Sequence, residues 1–259
     1  MRKIFSIAAA GLMLLLASPC LAQNDYDRYI IQAGVDVEQK SISGHQTVEL
    51  TNRTAGSLDT VYFHIYPNRQ YTPREIQQLF GYAGYFKVDP SPEGFAQGRF
   101  DLAYIKFDGQ SLAFEVQGVD KTLLKVTLPD KIPPGEKITL DMEFEMALPH
   151  TFGRFGWHDK IIKSAYWYPI LAKQTKDGWE TNEFYPFHRP FYSDAAVYEV
   201  DLRVPSDSVL IHSGYEKNKT AQGAQTIYHI ATDFPIRAFS FSMSPDYQVE
   251  RASYGQTTL

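Results

Sequence analysis

Apolar and polar positions alternate with a period of two along most of this chain. In Ile138–Met146 every second residue is apolar and most of the intervening ones are acidic, which predicts a strand with one buried and one wet face. Tyr198, Val200, Leu202 and Val204 repeat the pattern against Glu199, Asp201 and Arg203. Leu124, Val126 and Leu128 do so again, and Pro129 is expected to end that strand. Further strands are predicted at 31–37, 47–50, 61–65, 209–212, 226–230 and 238–243. Asp108-Gly109, between Tyr104–Phe107 and Leu112–Val116, is a hairpin signal. Pro133-Pro134-Gly135 and Ser213-Gly214 mark further reversals. One short helix is predicted over 73–80, with Thr72 as cap, Pro73 at the first helical position and Glu75 completing a capping box. Residues 81–99 read as a loop rich in Gly, Pro and aromatics. The expectation is an all-β, twisted antiparallel β-sandwich or saddle, with no internal repeat and no Ser/Gly linker dividing it.

The first 22 residues break this pattern. Arg2 and Lys3 precede an apolar run from Ile4 to Leu16, and Cys20-Leu21-Ala22 supplies a small-residue site. This predicts a secretory signal over 1–22, cleaved before Gln23, leaving an exported domain over 23–259 in the periplasm or outside the cell. The apolar run is short of the roughly 20 residues of a membrane span. An uncleaved anchor and a lipid on Cys20 are the alternatives. Cleavage would remove Cys20, the single cysteine, so disulfide, zinc-thiolate and cysteine-nucleophile chemistry are not expected. The formal charge is -5, without a basic block or arginine stripe, so nucleic acid is not an expected partner.

No complete catalytic constellation is evident. None of His45, His64, His150, His158, His188, His212 and His229 falls into a His-Glu-x-x-His spacing. His150 and His158, with Asp159, could supply three metal ligands, or be ordinary hydrogen-bonding residues. Ser193-Asp194 near His188 has the residue types of acid–base work but not a triad pattern. No Gly-x-Ser-x-Gly elbow or glycine-rich phosphate loop appears. Asn52-Arg53-Thr54 and Asn218-Lys219-Thr220 match the glycosylation acceptor pattern. Residues 149–198 are dense in aromatics, Trp157, Tyr166, Trp167, Tyr168, Trp179, Tyr185, Phe187, Phe191 and Tyr192 among them. They would either fill a core and interface or form a sugar- or peptide-binding platform.

Taken in order, several segments resemble the N-terminal β domain of the gluzincin zinc aminopeptidase family that includes aminopeptidase N. They are Tyr29–Val37, Gly44–Asn52, Leu58–Asn68 with "VYFHIYPN", Leu128–Pro149 and "YWYPILA" at 166–172. "YSDAAVYEVDLRVP" at 192–205, Ser213-Gly214 and "ATDFPIRAFSFSMSPDY" at 231–247 complete the series. The resemblance implies a saddle-like domain that packs on a zinc catalytic domain and helps shape its cleft. The family's Gly-x-Met-Glu-Asn and His-Glu-x-x-His motifs do not occur in these 259 residues. No catalytic, cofactor-binding or metal residue is therefore expected here, and zinc belongs to a catalytic domain outside this sequence. Some members grip the substrate amine with a Gln or Glu of this first domain; Gln174 and Glu183 are the nearest candidates. The resemblance implies a non-catalytic module whose partner is that catalytic domain or another peptide or protein. The alternatives are a portion of a full-length zinc aminopeptidase, or a stand-alone carbohydrate- or peptide-binding sandwich using Trp157 and Trp179.

Overall fold

A computed structural model describes residues 26–87, 94–151, 153–182, 184, 191–250, 252–255 and 257–258. In chain order its elements begin with β1 (Asp27–Asp36), β2 (Ser41–Thr51), β3 (Leu58–His64), a 3-10 turn at Tyr66–Asn68 and α1 (Pro73–Tyr85). Then follow β4 (Arg99–Phe107), β5 (Gln110–Ser111), β6 (Phe114–Gln117), β7 (Leu123–Ile132) and β8 (Lys137–Ala147). Five short strands come next: β9 (Phe155–His158), β10 (Ile161–Ala165), β11 (Ile170–Leu171), β12 (Lys173–Thr175) and β13 (Gly178–Glu180). The chain continues through β14 (Ala196–Pro205), β15 (Val209–His212), β16 (Tyr215–Gln222), β17 (Gln225–Ala231) and β18 (Ser240–Ser244). Two-residue strands β19 (Ser253–Tyr254) and β20 (Thr257–Thr258) lie near its end.

The fold is all-β. An eight-stranded sheet runs β16-β17-β14-β1-β2-β8-β4-β5, and two four-stranded sheets run β15-β18-β10-β9 and β11-β3-β7-β6. Alternation decides which face is buried. Ile138, Leu140, Met142, Phe144 and Met146 of β8 turn inward, as do Tyr198, Val200, Leu202 and Val204 of β14. They join Val61 and Phe63 of β3, Leu124 and Val126 of β7, and Phe241 and Met243 of β18 in one core. The outer side chains of the large sheet are left to water, as expected for a sheet packed on one face.

Four details differ from the sequence expectation, each for a physical reason. β1 and β14 pair in parallel, Asp27 opposite Ala196 through Gly34 opposite Arg203, within otherwise antiparallel sheets. A parallel pair needs a crossover connection, and here almost the whole middle of the chain supplies it, which no local pattern reveals. β7 runs through Pro129 to Ile132, because its pairing with β3 shifts between Leu58 and Thr60 and proline is tolerated at such an irregularity. The expected strand after Asp108-Gly109 divides between two sheets: Gln110–Ser111 closes the hairpin on β4, and Phe114–Gln117 pairs with β7. The turn itself has positive φ at both Asp108 (48°) and Gly109 (78°), the primed geometry the dipeptide predicts. Finally α1 continues to Tyr85 rather than stopping at 80. Its start is as predicted: Thr72 accepts from the Glu75 amide while the Glu75 carboxylate accepts from the Thr72 amide.

Candidate functional surfaces

The described histidines are held by neighbours. His150 and His158 do approach, with ring centroids 6.2 Å apart, but His150 Nδ1 lies 2.6 Å from the Gly94 carbonyl oxygen and its ring stacks on Trp157 at 4.0 Å. His158 Nε2 lies 3.4 Å from Asp159. Among the described residues no three His, Cys, Asp or Glu side chains group to hold a metal ion, so the residues described do not fit a zinc centre. His64 is wholly buried, stacked on Tyr66 at 4.9 Å, and burial lowers its pKa to about 4. His188 lies outside the described residues. Ser193 is buried and donates to the Arg237 carbonyl at 2.9 Å, a structural use of its hydroxyl. Asn52 is buried as well, its amide donating to the carbonyls of Gly56 and Ile132 at 2.9 and 2.8 Å. That acceptor pattern is therefore closed in the folded protein, whereas Asn218 is exposed on β16.

The described part of the aromatic stretch is largely core. Trp167, Tyr168 and Tyr198 are fully buried, and Tyr29 stacks on Tyr198 at 5.0 Å with Tyr168 edge-on at 5.6 Å. Tyr66 gathers Tyr166, Phe184 and Phe191 within 5.8 Å. Beside them Arg69 is buried between the rings of Tyr71 and Phe184, pairing with Glu75 and Asp120. Burial raises the Glu75 carboxyl, but hydrogen bonds from Thr72 and the Arg69 charge outweigh it and hold it below the usual range. Tyr185 and Phe187 lie outside the described residues. Trp157 and Trp179 are half-buried, and Trp179 Nε1 donates to the Thr60 carbonyl at 3.0 Å.

Gln174, a candidate for gripping a substrate amine, has both ends of its amide committed. Its oxygen accepts from the Arg53 amide and its nitrogen donates to the Thr51 carbonyl, each at 2.9 Å. It fastens the end of β2. Glu183 lies outside the described residues.

If this domain once met a neighbouring domain of a larger enzyme, the sequence reading expects an exposed apolar surface near 149–192 or the C-terminus. Among the described residues of 149–192 there is no largely exposed big apolar side chain. Exposed ones lie elsewhere: Tyr82, Tyr85 and Phe86 at the end of α1, where the Phe86 ring lies 5.1 Å from each of the two tyrosines, Phe114, Val116 and Val119 in and after β6, and Ile211, Tyr215 and Phe234. Val249 is exposed toward the C-terminus.

The outer face of the eight-stranded sheet gathers polar residues that no single segment of the sequence marks as a site. Register places His229, Asp201, Gln32, His45, Glu143 and Tyr104 opposite one another in a single row across six strands. His45 Nε2 meets Asp141 at 2.7 Å and His229 Nδ1 meets Asp201 at 2.7 Å. A depression of about 440 Å³ opens over this row and the next, with Gln32, Gly34, Ser43, Glu143 and Arg203 in its lining. The signal was present as charged and polar residues at alternate positions, but only the pairing across distant strands brings them together.

No protein-family model matches the sequence, and no curated protein matches it. Solved structures do share the fold. The M1 zinc metallopeptidase from Deinococcus radiodurans matches with a TM-score of 0.53 and 14% identity, over 91% of this chain and 46% of that one. A mutant of it bound to a Tyr-Ser-Ala substrate matches with the same values. A mutant two-domain M1 zinc metallopeptidase bound to L-tryptophan matches with a TM-score of 0.51 and 15% identity, over 91% and 46% of the two chains. The class defined by these findings is an all-β domain with the fold of part of the M1 zinc metallopeptidases, spanning less than half the length of those structures.

Proposed function

We propose that this chain is the non-catalytic N-terminal β domain of an exported M1-type zinc metallopeptidase system, acting by packing on a zinc-bearing catalytic domain and shaping its substrate cleft. The carrying observation is the asymmetry of coverage: nearly the whole chain matches, over 46% of structures of that class. The sequence contains neither zinc-helix nor amine-binding motif of the resembled family. In this reading the zinc and the hydrolytic chemistry belong to the partner domain, in the same polypeptide or another. The exposed aromatic groups at the end of α1 and around Ile211, Tyr215 and Phe234 are candidates for the covered face, since apolar groups rimmed by polar surface mark association sites. The signal-like residues 1–22 support export, with lipidation at Cys20 as the alternative route. Among the described residues no helix is long and apolar enough to cross a membrane.

Intact-mass measurement and C-terminal peptide mapping of the protein from its native source, together with whatever copurifies, test this reading. A zinc domain in the same polypeptide or bound in stoichiometric amount is expected. Its absence in both forms would overturn the assignment. The isolated 259-residue chain should not release amino acids from aminoacyl p-nitroanilides with zinc added; zinc-dependent turnover by it would overturn the non-catalytic role.

A further inference from the structure

We propose that the depression on the outer face of the eight-stranded sheet binds a small zwitterion, its carboxylate held by Arg203 and its ammonium by Glu143. Gly34 is the first indication. It lies inside β1 between Arg203 and Ser43, with an ordinary backbone and open space where a Cβ would stand. Glycine there weakens the strand and relieves no clash, and such a strand glycine marks a place where another molecule comes close to the backbone.

The second indication is the charge pattern. Several carboxylates of this face have a partner: Asp201 meets His229, Asp141 meets His45, and Glu199 meets Arg28 and Lys217. Arg203 and Glu143, both exposed, have no ion pair or side-chain hydrogen bond among the described residues. They cannot neutralise each other. Three strand spacings and two residues along the strand separate their Cα atoms by roughly 16 Å. Each thus offers an unmatched charge to the depression from opposite sides, and Gln32 and Ser43 supply neutral polar groups between them.

These features select the ligand class. An Arg fork suits a carboxylate or a phosphate, but Glu143 and Asp201 in the same lining disfavour a dianion. A second charge of opposite sign on the ligand satisfies Glu143. Among the described residues no Trp, Tyr or Phe lines the depression, which leaves no platform for stacking a sugar. Its volume of about 440 Å³ is that of a small-molecule site. The inference stands apart from the zinc-partner reading, because it concerns a face of this chain alone.

The test is calorimetric titration of the full chain with ε-aminocaproate, caproate and hexylamine at low salt. Saturable binding of ε-aminocaproate, about tenfold tighter than either singly charged analogue, is expected, since each end adds a charge-assisted contact. Arg203→Gln should reduce ε-aminocaproate to the affinity of hexylamine, and Glu143→Gln to that of caproate. Gly34→Val should block binding while leaving the melting temperature at or above that of the parent. Failure of ε-aminocaproate to saturate, equal binding of the three probes, or indifference to both charge substitutions would overturn the proposal.

Discussion

Arg69 donates to Asp120 at 3.1 Å with only 6% and 12% of the two side chains exposed. The same guanidinium pairs with Glu75 in the first turn of α1 and donates to the Phe184 carbonyl at 3.4 Å. One cation therefore ties the helix start, the turn before β7 and the aromatic segment together. Removing one member of a buried ion pair strands the other, which costs about 3–5 kcal/mol. Arg69→Met should lose stability of that order in urea unfolding. Asp120→Asn should lose less, because Glu75 still faces the cation. The exposed pair Lys160–Asp246, at 3.2 Å, is the control; its loss should change stability by no more than about 1 kcal/mol. Equal small effects at both pairs would show that Arg69 is not held as described.

His64 gives the fold a dependence on pH. It is neutral in the core, with its pKa lowered from 6.5 to about 4 by burial, and among the described residues neither ring nitrogen has a hydrogen-bond partner. Between these values the unfolded chain binds more protons than the folded one, so stability is complete above the unfolded pKa and falls as pH drops toward the folded one. The full shift corresponds to about 3 kcal/mol. Urea midpoints measured from pH 7 to 4 should decline less steeply in His64→Phe than in the parent. Parallel curves would remove His64 as the cause.

How far the sequence reveals this molecule depends on whether a feature is local. The strand at Ile138–Met146, the Thr72–Glu75 capping box and the Asp108-Gly109 turn depend on side chains within a few residues, and each forms as read. The parallel pairing of β1 with β14 joins residues some 170 positions apart, and local patterning carries no information about it. Gln174 shows the same limit at the level of a site. Its residue type suited an amine-binding role, but its contacts with Thr51 and Arg53 come from another part of the chain. The row from His229 to Tyr104 is the converse case, a surface that tertiary register creates from residues unremarkable in sequence.

Tyr29 is more than an apolar ring. Its hydroxyl accepts from the Leu171 amide at 2.9 Å in the core, joining the large sheet to β11, and burial raises its pKa well above the usual tyrosine value. Tyr29→Phe keeps the ring stack with Tyr198 but leaves a buried N–H without its acceptor, at a cost of about 1–3 kcal/mol. Hydrogen exchange should show the Leu171 amide losing protection beyond the global change. Unaltered protection would mean that water or another group replaces the hydroxyl.

Two glycines should respond in opposite senses to alanine. At Gly214 φ is 82°, and an added Cβ would stand 2.4 Å from the Ala231 carbonyl oxygen, a backbone atom that cannot swing aside. The positive φ alone disfavours alanine by about 1–2 kcal/mol, and the clash adds to it, so Gly214→Ala should fall well below the parent in urea midpoint. At Gly34 nothing lies within 4 Å of the added methyl. There the reduced freedom of the unfolded chain should prevail, and Gly34→Ala should gain about 0.5–1 kcal/mol. The contrast separates a glycine that the backbone requires at the Ser213-Gly214 turn from one that packing does not require. A Gly34→Ala variant as unstable as Gly214→Ala would show that the floor of the depression is already occupied by the protein itself.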